Sequence, residues 1–424
     1  MRSPIPDYLA EALGSVEADH SGETADYIPE LASADPDRLA VAICTEDGRL
    51  YSQGDSDVAF SIQSISKPFV YALALADRGF DAVMEKVSVE PSGDAFNEIS
   101  FEAGTGRPLN PMINAGAIAA HTLAGPSGAT PQERTSRIID GLSAFAGRRL
   151  TVDSAVYESE IATAYRNRAL ANMLRANEII EGEPLDAVTG YTRQCSLLVT
   201  VDDLALMAAT LANRGVNPLT GAPVVPAEVV RQVLSVMATC GMYDGAGHWM
   251  TNVGIPAKSG VAGGVIGALP GQVGIATFSP RLDRHGNSVR GVDLFRRFTS
   301  EMGLHLMEVP PPGPSVVRGR RIVGTGDDAV QVVSLQGRIR FAGAERVLRE
   351  LEDDPLTAKR VAISLARVAT IGPVGRRMLL EALRRLTLDG HDVYLIDPDG
   401  VLPDPDPGDG GRVTVVAGHD DIVR

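Results

Sequence analysis

Phe60-Ser61-Ile62-Gln63-Ser64-Ile65-Ser66-Lys67-Pro68 runs without a break into the apolar pattern Phe69-Val70-Tyr71-Ala72-Leu73-Ala74-Leu75. The stretch holds a Ser-x-x-Lys. On a helix, residues three apart share a face with Cβ atoms roughly 5–6 Å apart, which puts the Ser64 hydroxyl within reach of the Lys67 amine. A serine hydroxyl is a poor nucleophile until a base takes its proton, and lysine is such a base only when neutral. At the ordinary pKa of about 10.4, fewer than roughly one lysine in a thousand is neutral at pH 7, so a working dyad needs burial or nearby positive charge. Pro68 is tolerated in a first helical turn. That places Ser64 at or near a helix N-terminus, where free N–H groups and the helix dipole favour developing negative charge.

The spacing alone also fits a solvated lysine on a helix surface, but composition shifts the balance. The chain has only four lysines (Lys67, Lys86, Lys258, Lys359), and arginine supplies nearly all the remaining positive charge. Where arginine is the default surface cation, a retained lysine points to a need for deprotonation. A second retained lysine opens Lys258-Ser259-Gly260, ahead of Val261-Ala262-Gly263-Gly264-Val265-Ile266-Gly267, which reads as a small-residue strand open to close ligand approach. Ser-x-x-Lys early and Lys-[Ser/Thr]-Gly late is the motif pair of the serine β-lactamases and penicillin-binding proteins.

The 424 residues suffice for two or three domains. Of the net charge of −15, residues 1–312 carry 23 basic against 37 acidic side chains, which argues against nucleic-acid or anionic-membrane partners. Three widely spaced cysteines (Cys44, Cys195, Cys240) fit a reducing compartment without a disulfide framework. The N-terminal residues lack the apolar core of a signal peptide, and no run approaches ~20 apolar residues, so the expectation is a cytoplasmic protein. No Walker A or G-x-G-x-x-G sequence occurs and the seven histidines form no pair at metal-ligand spacing, so neither a cofactor nor a metal is expected.

Along the chain, residues 1–38 read as a helical lead-in. Leu39–Thr45 and Arg49–Ser52 read as a strand pair around the turn Glu46-Asp47-Gly48. Glu90-Pro91-Ser92-Gly93, Phe96-Asn97 and Arg107–Ala117 are loops by composition. Residues 120–245 read as mostly helical, with helices starting at the capping box Thr130-Pro131-Gln132-Glu133, at Thr200-Val201-Asp202-Asp203 and at Pro226. Strands are expected at 258–268 and 272–278, and a helix from Asp293 to Glu301. Sheet, helices, then sheet would join both ends of this region in one sheet with the helical part on one side. Val309-Pro310-Pro311-Pro312-Gly313-Pro314 reads as a stiff linker. Beyond it, strand patterns at Val330–Leu335, Arg360–Ala366 and Asp392–Ile396 alternate with helical patterns at Ala344–Glu352 and Arg376–Leu388. The expected division is a main domain over 1–308, a linker over 309–316 and a small α/β module over 317–424, with Asp404–Gly411 as a mobile loop.

Five segments together resemble the serine-dependent glutaminase family: those around Ser64, Glu90-Pro91-Ser92-Gly93, Asn110-Pro111-Met112-Ile113-Asn114-Ala115-Gly116-Ala117, Cys240-Gly241-Met242-Tyr243-Asp244 and Ala257–Gly264. The resemblance spans about residues 20–305 and implies an α+β, β-lactamase/transpeptidase-like main domain that hydrolyses L-glutamine to glutamate and ammonia. Matched motif by motif, it implies Ser64 as nucleophile and Lys67 as its base, with Tyr243 and Tyr27 as further catalytic tyrosines. It also implies substrate contacts from Ser64, Asn114, Glu160, Asn167, Tyr191, Tyr243 and the backbone of Val261. Glu160 suits the substrate ammonium, and the Ser64 and Val261 N–H groups suit the oxyanion. A homodimer or homotetramer is the assembly expected. A penicillin-recognising enzyme or other serine amidohydrolase of the same fold is the alternative, separable by a nitrocefin assay. The C-terminal module resembles a STAS domain through Val332–Ile339 and Arg360–Gly375. It reads Gly372-Pro373-Val374-Gly375 where regulatory members carry Asp-Ser-Ser-Gly, so docking or oligomerisation is expected of it rather than a phosphoswitch.

Overall fold

The structure, a computed structural model, describes residues 4–91, 101–308, 315–326, 329–339 and 341–422. The loops expected at Ser92-Gly93 and Phe96-Asn97 and the linker segment 309–314 lie outside the described residues. The chain divides into two compact units, residues 1–308 and 309–424.

The first unit opens with α1 (Ile5–Val16) and α2 (Pro29–Ala32), then β1 (Ala40–Thr45), β2 (Leu50–Gly54) and β3 (Phe60–Ser61). Helices α3 (Ser66–Arg78), α4 (Phe80–Met84), α5 (Asn114–Leu123), α6 (Pro131–Ala146), α7 (Ser154–Thr163), α8 (Tyr165–Ala176) and α9 (Pro184–Cys195) follow. After β4 (Leu198–Val199) come α10 (Val201–Ala212), α11 (Ala227–Cys240) and α12 (Ala246–Asn252), and the unit closes with β5 (Ala257–Ser259), β6 (Gly264–Leu269), β7 (Val273–Phe278) and α13 (Val289–Met302).

Strands from the two ends of this unit form one antiparallel sheet in the order β2-β1-β7-β6-β5. β1 is the seam: it pairs with β2 on one side and with β7 on the other, Ala40 opposite Phe278 and Thr45 opposite Val273. Because side chains alternate along a strand, β1 feeds two cores. Ala40, Ala42 and Cys44 pack with α3 and α10, while Val41 and Ile43 pack with α1 and α13. α10 is apolar nearly all round and, apart from Asp202, buried along its length, as a helix sandwiched between a sheet and other helices must be. A third cluster joins α5, α8 and α9.

The capping box expected at Thr130 is present, and the helix start expected at Thr200 is a capping box too. The Thr130 side chain accepts from the Glu133 N–H while Glu133 accepts from the Thr130 N–H, and Thr200 and Asp203 do the same at α10. Three local readings differ. The single strand expected over 258–268 is two strands separated by a turn, in which Gly263 takes φ 99° and an added Cβ would stand 2.4 Å from the Ser279 carbonyl oxygen. The segment read as loop through Ala117 becomes helical at Asn114, because α5 is buried along most of its length and packing outweighs weak propensity. The final helix starts at Val289, one turn before Asp293, where Ser288 caps the Gly291 N–H.

In the second unit β8 (Val317–Val323), β9 (Val330–Ile339), β10 (Arg360–Ile371), β11 (Asp392–Ile396) and β12 (Thr414–Val416) form a sheet in the order β12-β11-β10-β9-β8. β9 to β12 are parallel and β8 is antiparallel. Helices α14 (Phe341–Asp353) and α15 (Pro373–Leu388) supply the crossovers, and Leu379 and Leu383 of α15 pack with Val333, Leu335, Val361 and Ile363. The arginine-rich edge strand β8 had no apolar signature to read, since edge strands carry charge where buried parallel strands cannot.

Since each unit carries its own core, a chain ended near Val309 should fold alone with one cooperative thermal transition. Aggregation of that truncation, or a broad non-cooperative melt, would mean that residues 309–424 complete the first unit's fold.

Candidate active site

The turn that carries Ser64 is fixed from both ends. Upstream, β3 pairs with β4, the Ile62 N–H donates to the Leu197 carbonyl at 2.8 Å, and the Phe60 ring stacks on Phe278 at 3.9 Å between centroids. Downstream, Gln63–Ile65 form one 3₁₀ turn that passes directly into α3. Gln63 sits at φ 50°, a left-handed conformation that costs a non-glycine residue of order 1–3 kcal/mol. Its carbonyl is gripped in compensation, accepting from both the N–H and the hydroxyl of Ser66, the latter at 2.8 Å.

Lys67 lies one turn further on and is only 1% exposed. Its amine donates to the Met112 carbonyl at 3.2 Å and to Asn114 Oδ1 at 2.7 Å, so neither of these hydrogen bonds goes to Ser64. Burial lowers its pKa from the ordinary 10.5 to about 8. At pH 7 roughly a tenth of the molecules then hold a neutral amine. In that form two N–H groups satisfy the two acceptors and the nitrogen lone pair remains available.

A second wall arrives from β5. Gly241 permits it, since an added Cβ there would stand 1.8 Å from the Ala257 carbonyl oxygen. The chain then places Tyr243, itself at φ 55°, with its hydroxyl donating to the Ser259 carbonyl at 3.2 Å and within hydrogen-bonding reach of Ser64. Burial pushes the Tyr243 pKa up to about 12. The Lys258 amine sits 4.0 Å from the centre of the Tyr243 ring and donates to the Ser259 carbonyl. Complete burial, with the nearby Lys67 charge adding to it, drives the Lys258 pKa well below its usual value.

Helices α7 and α8 provide the third wall. The break between them at Ala164 lets Glu160, late in α7, and Asn167, in the first turn of α8, face one space. Glu160 Oε1 accepts from the Tyr27 hydroxyl at 3.0 Å and from Gln63 Nε2 at 3.2 Å. Burial nonetheless raises its pKa above the usual carboxylate range, because those two neutral donors offset only part of the lost hydration. Tyr27 is 48% exposed overall, with its hydroxyl turned inward to that carboxylate. Asn114 Nδ2 donates to Asn167 Oδ1 at 3.1 Å, and the buried Tyr191 hydroxyl donates to Asn114 Oδ1 at 3.4 Å.

Tyr27, Ser64, Asn114, Glu160, Asn167, Tyr191 and Val261 thus line one cavity of about 350 Å³, with Lys67 and Tyr243 behind Ser64. Among the described residues neither the Ser64 nor the Val261 N–H donates to a protein acceptor, which leaves both open to a ligand. The cavity is also lined by Gln63, Thr163, Ala164, Arg166, Thr192 and Cys195, none of which sequence reasoning singled out. Gln63 had a signal of a kind, as neighbour of Ser64. Cys195, whose thiol burial pushes up to about 11, had none.

The family model described as Glutaminase matches residues 22–307. The chain is 51% identical to a glutaminase of Corynebacterium glutamicum over 401 residues, covering 95% of this chain and 96% of the relative. A solved structure of a protein called Mglu superposes with a TM-score of 0.88 at 52% identity, covering 95% of this chain and all of that one. Another, of Mglu in its tris and glutamate form, gives 0.88 at 47% identity over the same 95% of this chain. Taken with the fold, these matches define a mixed α/β hydrolase of amide substrates. The chain belongs to the glutaminase family.

The buried amine has a thermodynamic consequence. A folded-state pKa lowered from 10.5 to about 8 means that the charged form of Lys67 is disfavoured by roughly 3 kcal/mol. Between those pH values the unfolded chain binds the proton that the folded chain has lost, so this penalty is full below pH 8 and fades as pH rises towards 10.5. Lys67→Met is therefore expected to raise the melting temperature at pH 7, by an amount that shrinks above pH 8. An equal or lower melting temperature at pH 7 would mean that the bonds to Met112 and Asn114 outweigh the cost of burial.

Proposed function

We propose that this protein hydrolyses L-glutamine to L-glutamate and ammonia through a γ-glutamyl ester of Ser64, on a main domain of the β-lactamase type. The observation that carries the mechanism is the fully buried Lys67 amine, its pKa lowered to about 8, one helical turn from a serine at the floor of the cavity. Neutral Lys67 takes the Ser64 proton while Oγ attacks the γ-carboxamide carbon. The N–H groups of Ser64 and Val261 receive the oxyanion, each worth roughly 3 kcal/mol in such sites. Tyr243, beside Ser64, passes a proton to the departing nitrogen so that ammonia rather than amide anion leaves. A water molecule then attacks the ester by the reverse path and releases glutamate.

Recognition of the substrate falls to the third wall. Glu160, whose partners among the described residues are the neutral donors Tyr27 and Gln63, takes the α-ammonium, and those two side chains hold its carboxylate in place. Asn114 and Asn167 orient the remaining polar groups, with Tyr191 behind Asn114. The chemistry calls for no metal or cofactor. We further read the second unit as a STAS-like module for docking or oligomerisation in a cytoplasmic homodimer or homotetramer. The α/β alternation around a parallel sheet supports the module, and three free, buried cysteines support the compartment. At the start of α15 stands Gly372-Pro373-Val374-Gly375, with no hydroxyl to phosphorylate.

Ammonia release from glutamine is the direct test. Ser64→Ala should abolish it while glutamine still raises the melting temperature, because the pocket's polar groups remain. Lys67→Arg should retain less than about a tenth of the wild-type kcat, a barrier increase above roughly 1.4 kcal/mol, since a guanidinium does not give up its proton. In the wild type, kcat/KM should climb as pH rises through about 8, where the base loses its proton. A profile flat from pH 6 to 9, or a largely active Lys67→Arg, would transfer the role of base to Tyr243 or water.

Glu160→Gln tests recognition separately. It should raise KM by about a hundredfold or more, the scale of a buried charge pair, without altering the melting temperature greatly. An unchanged KM would remove Glu160 from the ammonium site.

A further inference from the structure

Beneath the nucleophile turn runs a buried polar chain that the catalytic scheme does not use. His121 on α5 donates from Nδ1 to Gln194 Oε1 at 2.9 Å, Gln194 on α9 donates from Nε2 to Ser66 Oγ at 3.1 Å, and Ser66 donates to the Gln63 carbonyl at 2.8 Å. His121 and Gln194 are 1% exposed and Ser66 is wholly buried. The direction of the chain is set along its length. With its oxygen occupied by His121, the Gln194 amide presents N–H to Ser66, and the hydroxyl of Ser66 donates to Gln63 at 2.8 Å, far closer than the Cys195 thiol that lies 4.0 Å from its oxygen. Burial keeps the His121 ring neutral by holding its pKa near 4, so no link changes charge at working pH.

The endpoint matters most. A satisfied core histidine could end on any carbonyl, yet this chain ends on the residue at φ 50° that immediately precedes Ser64. The side chain of that same residue is tied by Nε2 to Ser61 Oγ at 3.1 Å and to Glu160. Gln63 is therefore clamped at its backbone from below and at its amide from the cavity.

We propose that the chain His121–Gln194–Ser66 is a positioning device for the reaction, holding Gln63 in its strained conformation so that the Ser64 hydroxyl is aimed into the cavity. This rests on Ser64 being the nucleophile. Ser66 touches no reacting atom, so its contribution is geometric, and small misplacement of an attacking atom costs on the order of a hundredfold in rate. It should therefore appear in kcat and not in substrate affinity.

Ser66→Ala is expected to lower kcat by about 10- to 100-fold, with KM within about threefold of wild type and the rising pH limb still near 8. Ser66→Thr, which keeps the hydroxyl, should recover most of the rate. Gln194→Glu gives Ser66 an acceptor in place of a donor, turns its hydroxyl away from Gln63, and should reproduce the loss with Ser66 intact. A Ser66→Ala enzyme within about twofold of the wild-type kcat would overturn the proposal. So would a loss matched by an equal rise in KM or by a shifted pH limb, since a general packing defect behaves that way. Should Ser66→Ala fail to fold, Gln194→Glu decides by the same criteria. Ser64→Ala, run alongside, separates the two readings. An active Ser64→Ala removes the nucleophile assignment, whereas an inert one beside an unimpaired Ser66→Ala removes only the positioning chain.

Discussion

A lysine amine with 1% exposure is the constraint around which this protein is built. An ammonium in such a place loses most of its hydration, and the deficit is tolerable only where acceptors stand at hydrogen-bonding distance or the group gives up its proton. Here both happen. Met112 and Asn114 supply the acceptors, which requires the segment 110–114 to arrive at the start of α5 directly against α3. Asn114 is then held by Asn167 and Tyr191. One buried amine thus dictates where three further helices begin or pass.

Two backbone positions carry the cost of that arrangement. Gln63 and Tyr243 both adopt positive φ without being glycine, Gln63 as the residue that precedes Ser64 and Tyr243 within hydrogen-bonding reach of it. Neither conformation is intrinsically favoured, so each is maintained by side-chain contacts: Ser66 and Glu160 for Gln63, the Ser259 carbonyl and the Lys258 amine for Tyr243. The strain lies where the proposed chemistry needs a serine oxygen and a phenol brought together, and a relaxed backbone would part them.

How far the sequence could be read follows from the range of each interaction. The helix starts at Thr130 and Thr200, the strand pair at 40–54 and the Ser-x-x-Lys helix were legible because their partners lie within a few residues. α5 was not legible, since Asn114-Ala115-Gly116-Ala117 has the composition of a loop and becomes helical only when packed against α3, α8 and α9. The same holds for the split of 258–268. The apolar run is continuous in sequence, and the turn exists because the chain must fold back beside Ser279. β8 escaped notice because its exposed edge permits arginines that mask a strand pattern.

By itself the sequence determined the strand pair around the turn at 46–48, the spacing that sets Ser64 and Lys67 one turn apart, and the resemblance that named the residues of the site. Those are local properties or patterns of residue type, carried by covalent neighbours. Tertiary structure alone decided that Lys67 is dry enough to titrate near 8, that Glu160 faces Tyr27 across 133 residues of chain, and that His121 reaches Gln63 through Gln194 and Ser66. Desolvation and hydrogen bonding depend on what lies within a few ångströms, and most of those neighbours are brought there by the fold from distant parts of the chain.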